Sequence, residues 1–461
     1  MMTESYGNFV EGKRVEVLPV GFDAPELSAQ LFDFQRETVL WALRKGRAAI
    51  FFDCGLGKTF MQLEWARCVA EKTGKPVLVL APLAVGYQTQ AEGGRFGIPV
   101  SIAKDQTGIG DRGIYVTNYE RLQKFDAGVF GGVVLDESSI LKSYMGKTKR
   151  NLLTAFKNTP FRLCCTATPA PNDHLELGNH CEFLGVMTSH EMIARWFIND
   201  LSLFGTYRLK GHARVAFWDW VSSWARAAES PADLGYEASA FVLPPLDTCP
   251  INVTVDLTAD RADGQLFRMP EMSATSIHRE KRRTADARAL AIAEKVRAEP
   301  DEPWLIWVDT NYEADALSAV LPEVVEVAGK DSIATKEKRL LGFTRGEVQW
   351  LMTKPKIAGF GLNWQHCARV AFMGPTFSYE GFYQAVRRVW RFGQLRPVKV
   401  FIAMATTESH IYHVMTRKAD AHVEMKREMH AAMRRAHSKE SPKMGYEPHH
   451  KARIPSWFRT T

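Results

Sequence analysis

Two sets of short apolar runs, each run followed by a helical or polar stretch, set what this chain is able to fold into. RAAIFFDC (47–54), PVLVLAP (76–82), GIYVTN (113–118), GGVVLDE (131–137) and FRLCCTA (161–167) form the first set. WLIWVDT (304–310), VVEVAG (324–329), VQWLMTK (348–354), ARVAFMG (368–374) and VKVFIAMA (398–405) form the second. β-rich apolar runs alternating with helices predict an α/β fold of parallel sheets covered by helices. A chain of 461 residues also exceeds what one core ordinarily holds. Between the sets, tryptophans and helix formers (RWFIND, FWDWVSSWARAAE) precede an extended, proline-containing stretch, FVLPPLDTCPINVTVDL. The organisation expected is a first α/β domain over 1–171, a mainly helical insertion and linker over 172–285, a second α/β domain over 286–413, and a basic helix and tail over 414–461.

Composition narrows the class. The apolar fraction of 46% is that of an ordinary folded protein. No apolar run reaches the roughly eighteen residues of a membrane span. The opening MMTESYGNFVEGKRVEV has no apolar segment of the secretory kind. Cys54, Cys68, Cys164, Cys165, Cys181, Cys249 and Cys367 form no CxxC pair, and their odd number suits a reducing compartment. A cytoplasmic location without structural zinc is expected. Net charge is +7, and most of it lies at the end: Val414–Thr461 carry eleven Lys or Arg against five Asp or Glu. A basic tail suits a polyanion partner; its interspersed acids equally suit a solvated helix. The tryptophans at 196, 218, 220 and 224 would stack nucleic-acid bases or, as the reading preferred here, pack a core.

The strand AAIFF runs into DCGLGKT, and FMQLEWARCVA follows with helical spacing. Strand, glycine loop and helix are the context of a phosphate loop. Gly55 and Gly57 let backbone N–H groups close around phosphates. Lys58 reaches the β- and γ-phosphates, and Thr59 opens the helix as a magnesium ligand. Phe52 stands where the strict GxxxxGK[ST] pattern has its first glycine, so only the shorter GxGKT is met. A turn with a surface lysine is the alternative. VVLDESS ends a further run in Asp136 and Glu137, where ligands of open α/β sheets bind. Asp136 is positioned to hold magnesium and Glu137 to deprotonate an attacking water; a helix-capping pair is the alternative.

With these motifs placed, the stretch from about Leu31 to about Ala405 resembles the superfamily-two helicases and translocases, in particular their Swi/Snf-like branch. LFDFQRETVLWAL resembles the adenine-side segment, with Gln35 at the base. VLVLAPLAVGYQTQ and YVTNYERL resemble the first-domain segments that touch the nucleic-acid backbone. CTATPAPND resembles the coupling motif, TKPKIAGFGLNWQHC the second-domain motif facing both strand and nucleotide, and QAVRRVWRFGQ the last motif. The acidic box reads DESS where relatives have DEAH or DEAD, so coupling through residue 139, here Ser139, is lost or rerouted.

The resemblance implies two RecA-like domains in tandem, ATP and Mg2+ as ligands, and nucleic acid, most of all duplex DNA, as partner of a chain that works as a monomer without a membrane. No accessory chromatin module is visible, which favours a compact bacterial or phage-type motor. Catalysis would rest on Lys58, Asp136, Glu137, Arg388 and Arg391, with nucleotide held by Gln35, Gly55, Gly57, Lys58, Thr59 and Gln384, and magnesium by Thr59 and Asp136. Nucleic-acid contact or coupling would fall to Thr117, Asn118, Thr166, Thr168, Lys354, Gly359 and Gly361. On a helix, Arg388 and Arg391 share a face; a solvated basic face is the plain alternative. The family pattern does not require Arg387, which is read as a solvated surface charge. The competing function is an ATP-dependent DNA-binding module that recruits a nuclease or replication protein. A small-molecule kinase fails to explain a second α/β domain ending in paired arginines.

Overall fold

A computed structural model describes residues 17–82, 85–143, 146–199, 207–254, 274–355, 357, 363–375 and 378–440. The first set of runs becomes β1 (Arg47–Phe52), β2 (Val77–Ala81), β4 (Ile114–Asn118), β5 (Gly132–Asp136) and β6 (Phe161–Cys165), with a short β3 (Val100–Ile102) before β4. An antiparallel pair, β7 (Phe197–Asn199) and β8 (Tyr207–Leu209), follows, then β9 (Ala225–Ala228). Strands β1–β6 and β9 form one sheet in the order β3-β4-β2-β5-β6-β1-β9, every pairing parallel. Both faces are covered. Ala49 and Phe51 of β1 enter one core, while Ala48, Ile50 and Phe52 enter the other, as the two-residue period of a strand requires.

The second set becomes β11 (Trp304–Trp307), β12 (Val325–Val327), β13 (Trp350–Thr353), β14 (Arg369–Phe372) and β15 (Val398–Ala405), preceded by β10 (Leu246–Val253). Their sheet, also parallel throughout, runs β10-β15-β14-β11-β13-β12 and again has a core on each face. The chain is thus two parallel-sheet domains in tandem. No described helix is long and apolar enough to cross a membrane.

The stretch 172–285 contains helices but does not stand apart as an insertion. Strand β9 pairs with β1, register Ala49↔Ala225, and extends the first sheet. Trp196, Trp218, Trp220 and Trp224 are buried in the core on that sheet's face, so the tryptophans are packing residues and not base-stacking ones. Strand β10 pairs with β15 as an edge of the second sheet, a position where Pro250 is tolerated because an edge strand needs no donor on its outer side.

The basic end also differs from a solvated helix. One helix, Ser409–Glu440, starts with Met415 in a core of the second domain and ends with Met425, Met429 and Ala432 in a core of the first. Polar ties follow the same path. Arg214 pairs with Glu424 and, at 3.0 Å, with Glu428; Arg435 Nη2 lies 2.8 Å from Asp219. Residues 441–461, the remainder of the basic tail, lie outside the described residues.

Candidate active site between the two sheets

The loop after β1 and the acidic pair after β5 stand at the carboxyl ends of the first sheet, on either side of β6. Gly55 and Gly57 have φ of 95° and 74°, conformations that only glycine adopts without strain. A Cβ on Gly57 would come within 2.3 Å of Gln35 Nε2, and one on Gly55 within 3.0 Å of the Phe392 backbone nitrogen of the second domain. The helix Lys58–Thr73 opens directly from the loop. Lys58 Nζ donates to the carbonyls of Phe52 and Asp53, at 2.8 and 3.1 Å. Buried Gln35 donates through Nε2 to the Leu56 carbonyl at 2.9 Å, so it props the loop. Thr59 sits at the start of the helix, where a phosphate loop needs a hydroxyl.

Asp136 is buried and accepts from Gln62 Nε2 at 2.7 Å; Tyr119 donates its hydroxyl to the Asp136 carbonyl at 2.7 Å. Burial raises the Asp136 carboxyl above the usual carboxylate range. Glu137 has a positive φ, 53°, the single non-glycine residue to do so among the described residues. That backbone is uncommon for a residue with a Cβ. Burial, and then the Asp136 charge, push Glu137 up to about 7. Thr166 Oγ1 donates to Glu137 Oε2 at 3.2 Å and itself accepts from Thr168 N–H at 3.1 Å. The segment CTATPAPND thus touches the acid directly through Thr166. Ser139 is buried, and its hydroxyl donates to the Glu137 carbonyl at 3.5 Å.

Across the cleft, Gln384 Nε2 of the second domain reaches 3.5 Å from Glu137 Oε2. The arginines do not lie on a helix. The helix Tyr379–Val386 ends before them, and the chain tightens into turns: Arg388 N–H returns to the Ala385 carbonyl at 3.4 Å, Val389 N–H returns to the Val386 carbonyl at 3.1 Å, and the Arg388 carbonyl accepts from Trp364 N–H at 2.9 Å. The turn that results faces the phosphate loop. Burial pushes Arg388 and Arg391 below the ordinary arginine range, against the pull of Cys54 on both and of Glu137 on Arg388. Neither guanidinium forms an ion pair among the described residues, and Nε of Arg391 is buried without a partner. Arg387 is no solvated charge. It is 3% exposed and pairs with Asp53 across the domains at 2.8 Å.

The proposed nucleic-acid residues fare less evenly. Thr117 is 5% exposed with its hydroxyl sealed inside β4, so no phosphate reaches it here. Asn118 Oδ1 caps the following turn by accepting from Arg121 N–H at 3.1 Å, and Lys354 donates to Asn311 Oδ1 at 2.6 Å. Gly359 and Gly361 lie outside the described residues.

The donor set fits a nucleotide with Mg2+. Gly55 and Gly57 keep the loop's backbone free of side chains where a Cβ would meet Phe392 and Gln35, and one carboxylate, Asp136, with one hydroxyl, Thr59, is the sparse protein contribution that magnesium takes when phosphates and waters complete its shell. No group of three His, Cys, Asp or Glu that would cage a metal alone occurs among the described residues.

A sheet with a phosphate loop and an acid pair, faced by arginines from a second sheet, defines a nucleotide hydrolase that works between domains. Residues 287–393 match the helicase conserved C-terminal domain, from the helix Ala285–Ala298 through the arginine turn. The chain is accordingly an ATP-hydrolysing enzyme of the helicase and translocase class. Among solved structures it is similar to the Sulfolobus solfataricus SWI2/SNF2 ATPase core in complex with dsDNA, at 18% identity and a TM-score of 0.42, over 91% of this chain and 98% of that one. No curated protein matches significantly in sequence.

Proposed function

We propose that the protein is a motor that couples ATP hydrolysis to movement along duplex DNA, acting as a single chain. The observation that carries this reading is the pair of half-buried guanidiniums, Arg388 and Arg391, which face a phosphate loop of the other domain and form no ion pair among the described residues. Two half-buried cations without a carboxylate partner among the described residues await an anion, and the γ-phosphate of ATP held at Lys58 supplies it. Gly55, Gly57 and Thr59 bind and orient the phosphates. Lys58 exchanges the Phe52 and Asp53 carbonyls for phosphate oxygens. Glu137, poised near neutral pH, takes a proton from the attacking water, and Thr166 and Gln384 hold its carboxylate in place. Magnesium, held by Thr59 and Asp136, would neutralise charge on the β- and γ-phosphates. Arg388 and Arg391 stabilise the transferring phosphoryl group, an effect worth about 10³–10⁵ in rate where measured in NTPases.

Because one half of the site comes from each domain, hydrolysis and release gate a hinge between them. The motif resemblance to the Swi/Snf-like branch favours duplex DNA, gripped through its phosphates and without sequence readout. The test is the ATPase rate with duplex DNA, single-stranded DNA or RNA added. Duplex DNA should raise it most, by about tenfold or more, and stimulation should fade with salt. If none of the three polymers changes the rate, the motor reading fails and a DNA-binding recruitment module takes its place.

A further inference from the structure

The two residues that precede Gly55 in the phosphate loop are held by the second domain. Arg387 Nη2 lies 2.8 Å from Asp53 Oδ2 and also donates to the Cys54 carbonyl at 2.8 Å. Tyr383, four residues earlier on the helix Tyr379–Val386, donates its hydroxyl to Asp53 Oδ1, which also accepts the Cys54 N–H at 2.7 Å. Lys426 of the long terminal helix stands 3.9 Å from Asp53 Oδ2. The Arg387 guanidinium lies over the Trp390 ring, 4.8 Å from its centroid. Asp53 and Arg387 are both buried, so the pair is sealed from water.

We infer that Asp53 and Arg387 are positioning residues, an interdomain clamp that fixes where Arg388 and Arg391 stand relative to the phosphate loop. The reasoning is geometric. Arg388 follows Arg387 directly, and the Phe392 backbone rests against Gly55. Anchoring Arg387 to the loop therefore fixes the turn at its first residue, and the Gly55 contact fixes it at the far end. One nitrogen, Nη2, is shared between the Asp53 carboxylate and the Cys54 carbonyl, while Nε and Nη1 are buried without a hydrogen-bond partner among the described residues, so this single donor on two loop acceptors sets the position of the side chain. The clamp spans the cleft, so it is made whenever the domains close, and the arginines arrive pre-aimed.

The kinetic side of this inference rests on the ATPase reading; the structural side does not. The test is Arg387→Met, which keeps length and apolar cover on Trp390 but removes the charge, beside Arg387→Lys and Asp53→Asn. Arg387→Met and Asp53→Asn should lower kcat by about tenfold or more while KM for ATP stays within about threefold, the pattern of a contact felt in the transition state. Arg387→Lys should recover part of the loss. Small-angle scattering of the nucleotide-free variants should show a larger radius of gyration than the wild type, as the domains separate. If Arg387→Met keeps the wild-type kcat and the wild-type scattering curve, the clamp is overturned. A lowered melting temperature alone, with kcat and scattering unchanged, marks a merely structural pair and equally overturns it. Should the wild type hydrolyse no ATP, the scattering comparison still decides, separately from the ATPase reading.

Discussion

Glu137 shows how much one residue's setting decides. Its left-handed backbone, its burial and its neighbour Asp136 together bring its carboxyl to about 7, the range in which a general base works best. Glu137→Gln keeps the shape and the Thr166 contact but has no base to offer. Turnover should fall by about 10²–10⁴, while binding of a fluorescent ATP analogue stays within about threefold of wild type, since no ground-state phosphate contact is lost. A variant that turns over at the wild-type rate assigns the base elsewhere. Glu137, Lys58 and the two arginines are readable in the sequence as candidates because a phosphate site needs those residue types at those spacings. Arg387 is not, because nothing local distinguishes a basic residue facing solvent from one whose carboxylate lies more than three hundred positions away. Thr117 failed the other way: a hydroxyl at a strand end looks available until its neighbours close over it.

Among the elements, ten strands of the two sheets were legible as short apolar runs. Three were not: β3 is only the three residues VSI, and β9 and β10 hide for other reasons. Strand β9 reads ARAA within SSWARAAES, a stretch of helix formers without β-branched residues, and only the open edge of β1 makes it a strand; tertiary pairing overrode propensity. Strand β10 carries a proline and exposes half its residues, which conceals an edge strand. The terminal helix Ser409–Glu440 was visible as a helix, but its destination was not, because Met425 and Met429 are four apart among many charges. Both are fully buried against the first domain. Met425→Ala and Met429→Ala should each destabilise the chain by about 2–5 kcal/mol, read as a lower urea midpoint. Val423→Ala, on the exposed side of the same helix, should change stability by less than about 0.5 kcal/mol. Equal effects at the three positions would mean that the helix is solvated after all.

At the scale of the whole molecule, two α/β halves were legible from repeat order alone, while their mode of attachment was not, because it depends on side chains that meet only in three dimensions. That attachment is sensitive to acid. His180 lies in the first domain's core against Phe51, and His422 lies between the domains against Tyr379 and Tyr383. Burial lowers His180 to about 4 and His422 to about 3. Below the ordinary histidine value of 6.5 the unfolded chain takes up protons that the folded chain refuses, so stability falls as pH falls. Between pH 7 and pH 5 each histidine should remove about 2 kcal/mol. Glu137 runs the other way: its raised carboxyl binds a proton in the folded state first, and over the same interval offsets about one histidine. The wild type should therefore lose stability from pH 7 to pH 5 in urea titrations. His422→Phe, which fills the same site without a titrating group, should shrink that loss by about 2 kcal/mol, and Glu137→Gln should enlarge it by a similar amount. A His422→Phe protein with the wild-type pH slope would show that this histidine is reached by water, and that the joint between the domains is wetter than its packing indicates.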